Sequence, residues 1–292
     1  MENTRQRPFL FILLFYFLCF IFRAVEYLLI RTDQGIIGEA FIHKLIGCVL
    51  LGVTLYLINL RWRDIGFKIE DFVLHTCYGL LLGCIVFVIA YGTEFILQKS
   101  GGNDPSLSFY ATSYAIQGSA VMQTGVVFVL ICILGNILNV IMEEGVFRGL
   151  FIRLGEDKHS FWKACLFSAL LFGLWHIMQP VRNVLDNEQS VPGAVMMGLM
   201  LVITSALLGI QYGMLYKISG SIWIGMAAHF VNNASVNLLH IVTATGSDEL
   251  LTIRLTIAQT LSFLIVLTIF IMRTRAQKKG KPIKQEEADC PE

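Results

Sequence analysis

Six side chains that ordinarily belong in water sit inside the apolar stretches of this chain: Glu143, Glu144 and Arg148, then His176, then His229 and Asn233. Charged groups are costly in hydrocarbon, so within membrane segments they face an interior cavity and do chemistry, carry ions or pair with one another. The first group reads Ile-Met-Glu143-Glu144-Gly-Val-Phe-Arg148-Gly. Adjacent helix positions point about 100° apart, so the two carboxylates cannot serve one face equally. Glu144 and Arg148, four residues apart, can pair along the helix. Glu143 is left without a partner from its local sequence, and a carboxylate that can exchange a proton with water is what a general base requires. The competing reading is a structural ion pair that holds neighbouring helices together.

His176 ends the segment Phe172-Gly-Leu-Trp175-His176, shortly before Pro180. A single histidine there is either a packing residue near a helix end or an acid–base group. From a turn near Glu156, Glu143 lies back along one helix by roughly 16 to 20 Å and His176 forward along the next by roughly 24 to 30 Å. Tilted helices would bring the two to one level. In His229-Phe-Val-Asn232-Asn233 the spacing of four puts His229 and Asn233 on one helix face, and Asn237 and His240 are expected to extend that stripe. Such a polar line serves either interhelical hydrogen bonding or the stabilisation of a carbonyl oxygen as it becomes an oxyanion.

The elements that must position these groups are membrane helices. Of the 292 residues 55% are hydrophobic and 15% charged, with a net charge of +1. That composition points to a polytopic membrane protein, and nothing in it suggests a nucleic-acid partner. Apolar runs extend over Pro8 to Ile30, Ile37 to Leu60, Phe72 to Leu97, Val121 to Leu154, Phe161 to Met178, Gly193 to Ile218, Ser221 to Val242 and Leu250 to Met272. The expected fold is all-α with about eight transmembrane helices around an intramembrane polar site, and without a soluble domain. The first run is too long for a cleaved signal peptide and carries Arg23 and Glu26, so it reads as a retained helix. Three regions are expected: 1–120, helices and an external loop; 121–242, the core that carries the polar residues; 243–292, a last helix and a basic tail.

Arg5, Arg7, Arg61, Arg63, Lys68, Arg153, Lys158, Lys163, Lys217 and the tail from Arg273 to Lys284 fall on one side of such a bundle. The alternate loops hold only scattered cations such as Arg31, Lys99, Arg182 and Arg254. Both termini are therefore expected in the cytoplasm, with the protein in the cell membrane. The longest external connection, Gln98 to Ala120, is rich in Gly and Ser and reads as an irregular loop. The seven cysteines include no Cys-x-x-Cys pair and read as inert packing. Cys290 is third from the end, whereas a prenylation box places cysteine fourth, so the chain is not read as a substrate of that modification.

Glu-Glu-x-x-x-Arg, Phe-x-x-x-His and His-x-x-x-Asn, in this order on three candidate helices, resemble the CPBP family, the CAAX-processing and bacteriocin-processing (Abi) intramembrane proteases. The matching residues are Glu143, Glu144, Arg148, Phe172, His176, His229 and Asn233. The resemblance implies a peptide-bond hydrolase in which Glu143 and His176 activate water and His229 and Asn233 steady the oxyanion. Glu144, Arg148 and Phe172 would support that geometry. It implies as substrate a membrane-associated peptide or the C-terminus of a lipidated protein; the alternative is a non-catalytic scaffold, bacteriocin-immunity or regulatory protein of the same family. A zinc ion on Glu143, His176 and His229 is the alternative cofactor reading. No cofactor is favoured, because His-Glu-x-x-His is absent and Asn233 stands where a third strong ligand would help.

Overall fold

The computed structural model describes residues 7–34, 39–112 and 123–279. Arg5, residues 113–120 of the external loop, the start of the fourth apolar run at Val121, the tail cations Lys281 and Lys284, and Cys290 lie outside the described residues. Among those described, the chain forms helices α1 (Pro8–Val25), α2 (Ile42–Leu57) and α3 (Phe72–Ser100), then strand β1 (Ser106–Phe109). Helices α4 (Val126–Gly155), α5 (Phe161–Leu185) and α6 (Val191–Ser219) follow. Helix α7 (Trp223–Leu238), strand β2 (Leu239–Val242) and α8 (Leu251–Lys279) complete it.

The all-α membrane architecture expected from composition is what folds. Six helices are long and apolar enough to cross a bilayer, in the regions of α1, α3, α4, α5, α6 and α8. Helices α2 and α7 have 16 residues each. At 1.5 Å per residue they reach about 24 Å, short of a hydrocarbon core of about 30 Å. The apolar side chains that point outward, such as Leu14, Val49, Val88, Leu134, Met196 and Ile203, have no protein to cover them and suit lipid.

Two sequence expectations need correction. The seventh run does not stay helical to Val242: residues 239–242 leave α7 as β2 and pair antiparallel with β1, Ser106 opposite Val242 and Phe109 opposite Leu239. The supposedly irregular external loop therefore contributes a strand, and His240 does not continue the α7 stripe but stacks on Tyr110 at 3.9 Å. β-Branched and large apolar residues, Leu-His-Ile-Val, suit a two-stranded ladder as well as a helix, which is why the run could not be divided by hydropathy. Arg182 and Arg254, counted as loop cations, lie instead in α5 and α8 and are fully buried in ion pairs. A cation so neutralised does not weigh on orientation as a free one does.

The basic loops do meet at one end of the bundle. Lys217 pairs with Glu156 at 2.5 Å, and the Trp223 indole donates to the Lys68 carbonyl at 2.8 Å. At the opposite end Arg31 pairs with Asp186 at 2.7 Å and Arg182 with Asp33 at 2.9 Å, tying α1 to α5. Asp186 is held below the usual aspartate range by the Arg31 hydrogen bond foremost. Helix α6 stops at Gly220, whose φ of +63° is left-handed and lets the chain turn directly into α7.

The largest core unites α1, α2, α4 and α5 around Trp175, through Tyr16, Leu51, Phe147, Phe151 and Phe172. Helix α7 lies against α3 and α4, and α8 against α3 and α6. The C-terminal half of α4 is wound as a π-helix from Glu144 to Phe151, a rare winding found mostly where function needs it. Gly149 within it lets Ile65 pack close: a Cβ there would stand 2.9 Å from the Ile65 carbonyl oxygen.

Candidate active site

The change from α-helix to π-helix falls between the two carboxylates, and it points Glu143 and Glu144 at different neighbours. Both are buried, at 2% and 0% exposure, within the candidate span Val126–Gly155. Glu143 accepts the Trp175 indole N–H on Oε1 at 3.0 Å and the Asn139 amide on Oε2 at 3.2 Å. It is therefore not partnerless, as its own neighbours in sequence made it seem. Glu144 Oε1 is joined to His229 Nδ1 at 2.8 Å. Arg148 Nε lies 3.3 Å from Glu144 Oε2, an ion pair by distance that lacks hydrogen-bond geometry. The (i, i+4) spacing thus does pair Glu144 with Arg148. The remaining guanidinium nitrogens have no hydrogen-bond partner; the group lies instead over the Phe172 ring at 3.9 Å and near Tyr212 at 5.3 Å.

His229 stands between the carboxylates. With Nδ1 on Glu144, its Nε2 faces Glu143 Oε2 at 3.7 Å, too far for a direct hydrogen bond. Tyr212 stacks on the ring at 5.2 Å and Phe172 meets it edge-on at 6.1 Å, which fixes its plane. Two carboxylates and one guanidinium thus surround the ring.

His176 sits in a short 3₁₀ turn, Trp175–Ile177, that interrupts α5. Its Nδ1 bonds the Phe172 carbonyl oxygen at 2.9 Å, so that nitrogen carries the proton and Nε2 is left with a lone pair. The Phe-x-x-x-His spacing therefore has a physical reason beyond the ring: the phenylalanine backbone sets the histidine tautomer. His176 is half-buried, and it is neither hydrogen-bonded nor ion-paired to Glu143.

Asn233 lies one turn from His229 on α7, between the His229–Glu144 bond and the bond from Asn237 to Asn136 at 3.4 Å. Its hydrogen bond is with Asn232, whose amide donates to Asn233 Oδ1 at 3.2 Å. The tertiary structure thus brings Glu143, Glu144, Arg148, Phe172 and His229 into direct contact, with His176 held by Phe172 and Asn233 one helical turn away.

Sequence reasoning missed four members of this surround. Asn139 is four residues before Glu143, and the spacing rule that found Arg148 would have found it. Trp175 precedes His176, and a buried indole N–H needs an acceptor. Arg23 and His43 had no such signal: the Arg23 guanidinium lies over the Trp175 ring at 4.7 Å and bonds His43 at 3.0 Å. His43 in turn bonds Glu26 at 2.5 Å, so α1 and α2 buttress the indole that holds Glu143.

Among the described residues no group of three or more His, Cys, Asp or Glu side chains is placed to hold a metal ion. The Glu143 oxygens are engaged by Trp175 and Asn139, and His229 Nδ1 by Glu144.

A polytopic helical membrane protein with carboxylates buried in a span and imidazoles beside them is the class that fold and geometry define. Residues 125–235, which run from the start of α4 to near the end of α7, match the family model of type II CAAX prenyl endopeptidases, Rce1-like. The three motifs that resemble the CPBP family, from Glu143 to Asn233, all fall inside that segment. No curated protein and no solved structure matches the chain.

Proposed function

We propose that this protein is an intramembrane endopeptidase that cleaves near the C-terminus of a lipidated protein, with Glu143 as general base. The observation that carries the reading is the division of labour between adjacent carboxylates: Glu144 is bound to His229 and Arg148, while Glu143 accepts only neutral N–H donors. Neutral N–H donors orient a carboxylate without cancelling its charge. In the proposed reaction a water held between Glu143 and the free Nε2 of His176 loses a proton to Glu143 as its oxygen bonds the scissile carbonyl carbon. The oxyanion is met by the donors of His229 and Asn233. The proton then passes to the departing amine as the C–N bond breaks.

The metal-free form of this chemistry is supported by the engagement of both Glu143 oxygens by protein N–H groups and of His229 Nδ1 by Glu144. In this reading 121–242 is the catalytic core, flanked by the regions 1–120 and 243–292. A cytoplasmic position for both termini is supported by the basic loops that meet at one end of the bundle. The substrate would then reach the site from the membrane or the cytoplasm.

The test is cleavage by purified protein in lipid vesicles of a peptide carrying an S-prenyl cysteine at the fourth position from its end. Release of the last three residues, retained under a strong chelator and without stoichiometric zinc, is the expected result. About one zinc per chain, lost together with activity, would overturn the metal-free mechanism.

A further inference from the structure

Asn233 can serve an oxyanion with only one end of its amide. The NH2 group donates and the carbonyl oxygen accepts, so a flipped side chain would present a lone pair to a developing negative charge. Something must select the orientation. Gln259, on α8 and outside the segment that matches the family, donates its amide to Asn232 Oδ1 at 3.2 Å. Asn232 donates in turn to Asn233 Oδ1 at 3.2 Å. With the Asn232 oxygen occupied, the group that Asn232 turns to Asn233 is an NH2, and Asn233 answers it with its oxygen. Asn233 Nδ2 is left on the other side, with no hydrogen-bond partner among the described residues.

The relay is backed by further amide chemistry in the same layer. Gln211 on α6 donates to the Ser262 hydroxyl at 2.7 Å, one turn from Gln259, and its Oε1 is a buried acceptor without a partner. A small cleft at this junction is lined by Gln211, Tyr212, Asn232, Gln259 and Ser262, with Tyr212 also stacked on His229. Apolar residues would fill such a helix junction at less cost in desolvation.

We propose that Gln259 and Asn232 are positioning residues that hold the Asn233 amide with its NH2 toward the oxyanion. The proposal rests on the endopeptidase reading above. The direction of the relay is what separates it from packing. In Gln259→Lys the new group only donates, so Asn232 keeps its orientation. In Gln259→Glu the carboxylate only accepts, so Asn232 turns its NH2 to residue 259 and its oxygen to Asn233, which flips.

Cleavage of the S-prenyl peptide by both variants, with melting temperature as a folding control, makes the test. Gln259→Glu should lose roughly 100-fold in kcat, as Asn233→Ala does, at little change in KM, whereas Gln259→Lys should stay within about threefold of the parent. Asn232→Asp, an acceptor toward both neighbours, should fall as Gln259→Glu does and serves if a residue-259 variant fails to fold. Equal kcat in the two Gln259 variants, whether parental or lost in both, overturns the relay. If Asn233→Ala is slow while those variants are alike, the relay alone is wrong; if Asn233→Ala has parental kcat, the oxyanion role fails and the relay with it.

Discussion

Two polar clusters in this molecule have the same inventory: two carboxylates, one arginine and one histidine. The candidate site has Glu143, Glu144, Arg148 and His229; the other, between α3, β2 and α8, has Glu94, Asp248, Arg254 and His240. They differ in how completely their members satisfy one another. Arg254 bonds Glu94 at 2.5 Å and grips both oxygens of Asp248 at 3.1 and 2.5 Å. His240 has both ring nitrogens engaged, one on Asp248 at 3.2 Å and one on the Tyr110 carbonyl at 3.3 Å. In the site, by contrast, His229 Nε2 stops short of Glu143, Arg148 has two unbonded nitrogens, and His176 Nε2 is uncommitted. A cluster that binds its arginine to both carboxylates is a clasp, here between α8 and the β1–β2 connection, with Glu94 Oε1 its one buried acceptor left without a partner among the described residues. Unfilled valences are what the proposed water and substrate would occupy.

The comparison can be broken most directly at Glu143. Glu143→Gln keeps the volume and one acceptor oxygen for the Trp175 indole, with Asn139 able to turn its carbonyl to the new NH2, but removes the base, so cleavage should fall by roughly 10²- to 10⁴-fold with the fold intact. Full activity of the purified variant would remove the glutamate-base mechanism. Asn233→Ala comes next, with roughly 100-fold lost from kcat and little change in KM, read from steady-state kinetics.

The next contrast lies in stability. Glu144→Gln leaves the buried Arg148 guanidinium without a counter-charge, and breaking a buried pair in this way costs about 3 to 5 kcal/mol. Glu94→Gln should cost less, because Arg254 keeps its two bonds to Asp248, and it should leave kcat unchanged. Unfolding in detergent measures both; equal losses would mean that the two arginines are equally well compensated.

The smallest effect concerns pH. Burial alone would raise the Asp248 pKa, but hydrogen bonds from His240 and Arg254 outweigh it and hold the group below the usual aspartate range. A depressed folded-state pKa adds stability above the unfolded value of about 3.9, and that stability is lost as pH falls through the folded pKa. The parent should therefore melt higher than Asp248→Asn at pH about 7, and the gap should close below about pH 4. A gap that persists in acid would show that Asp248 acts through geometry rather than charge.

Much of this was legible in the residues themselves. Apolar runs announced helices because hydrocarbon length and backbone hydrogen bonding allow little else. The spacing of four paired Glu144 with Arg148 and placed His229 with Asn233, since one helical turn nearly repeats the direction of a side chain. Where the signal was purely one of hydropathy it failed: Leu239–Val242 reads like the end of α7 and folds as a strand because β1 is there to pair with it.

What the sequence alone determined was the class of protein, its membrane setting and which polar residues stood inside apolar surroundings, all of which follow from local composition and periodicity. Which of those residues close on one another only the tertiary structure decided, through Trp175 on Glu143, Arg23 behind Trp175, and Arg254 closed on Glu94 and Asp248. Each of these contacts joins helices far apart in the chain. Whether a buried donor or acceptor is satisfied depends on what the other helices bring to it, and no local pattern records that.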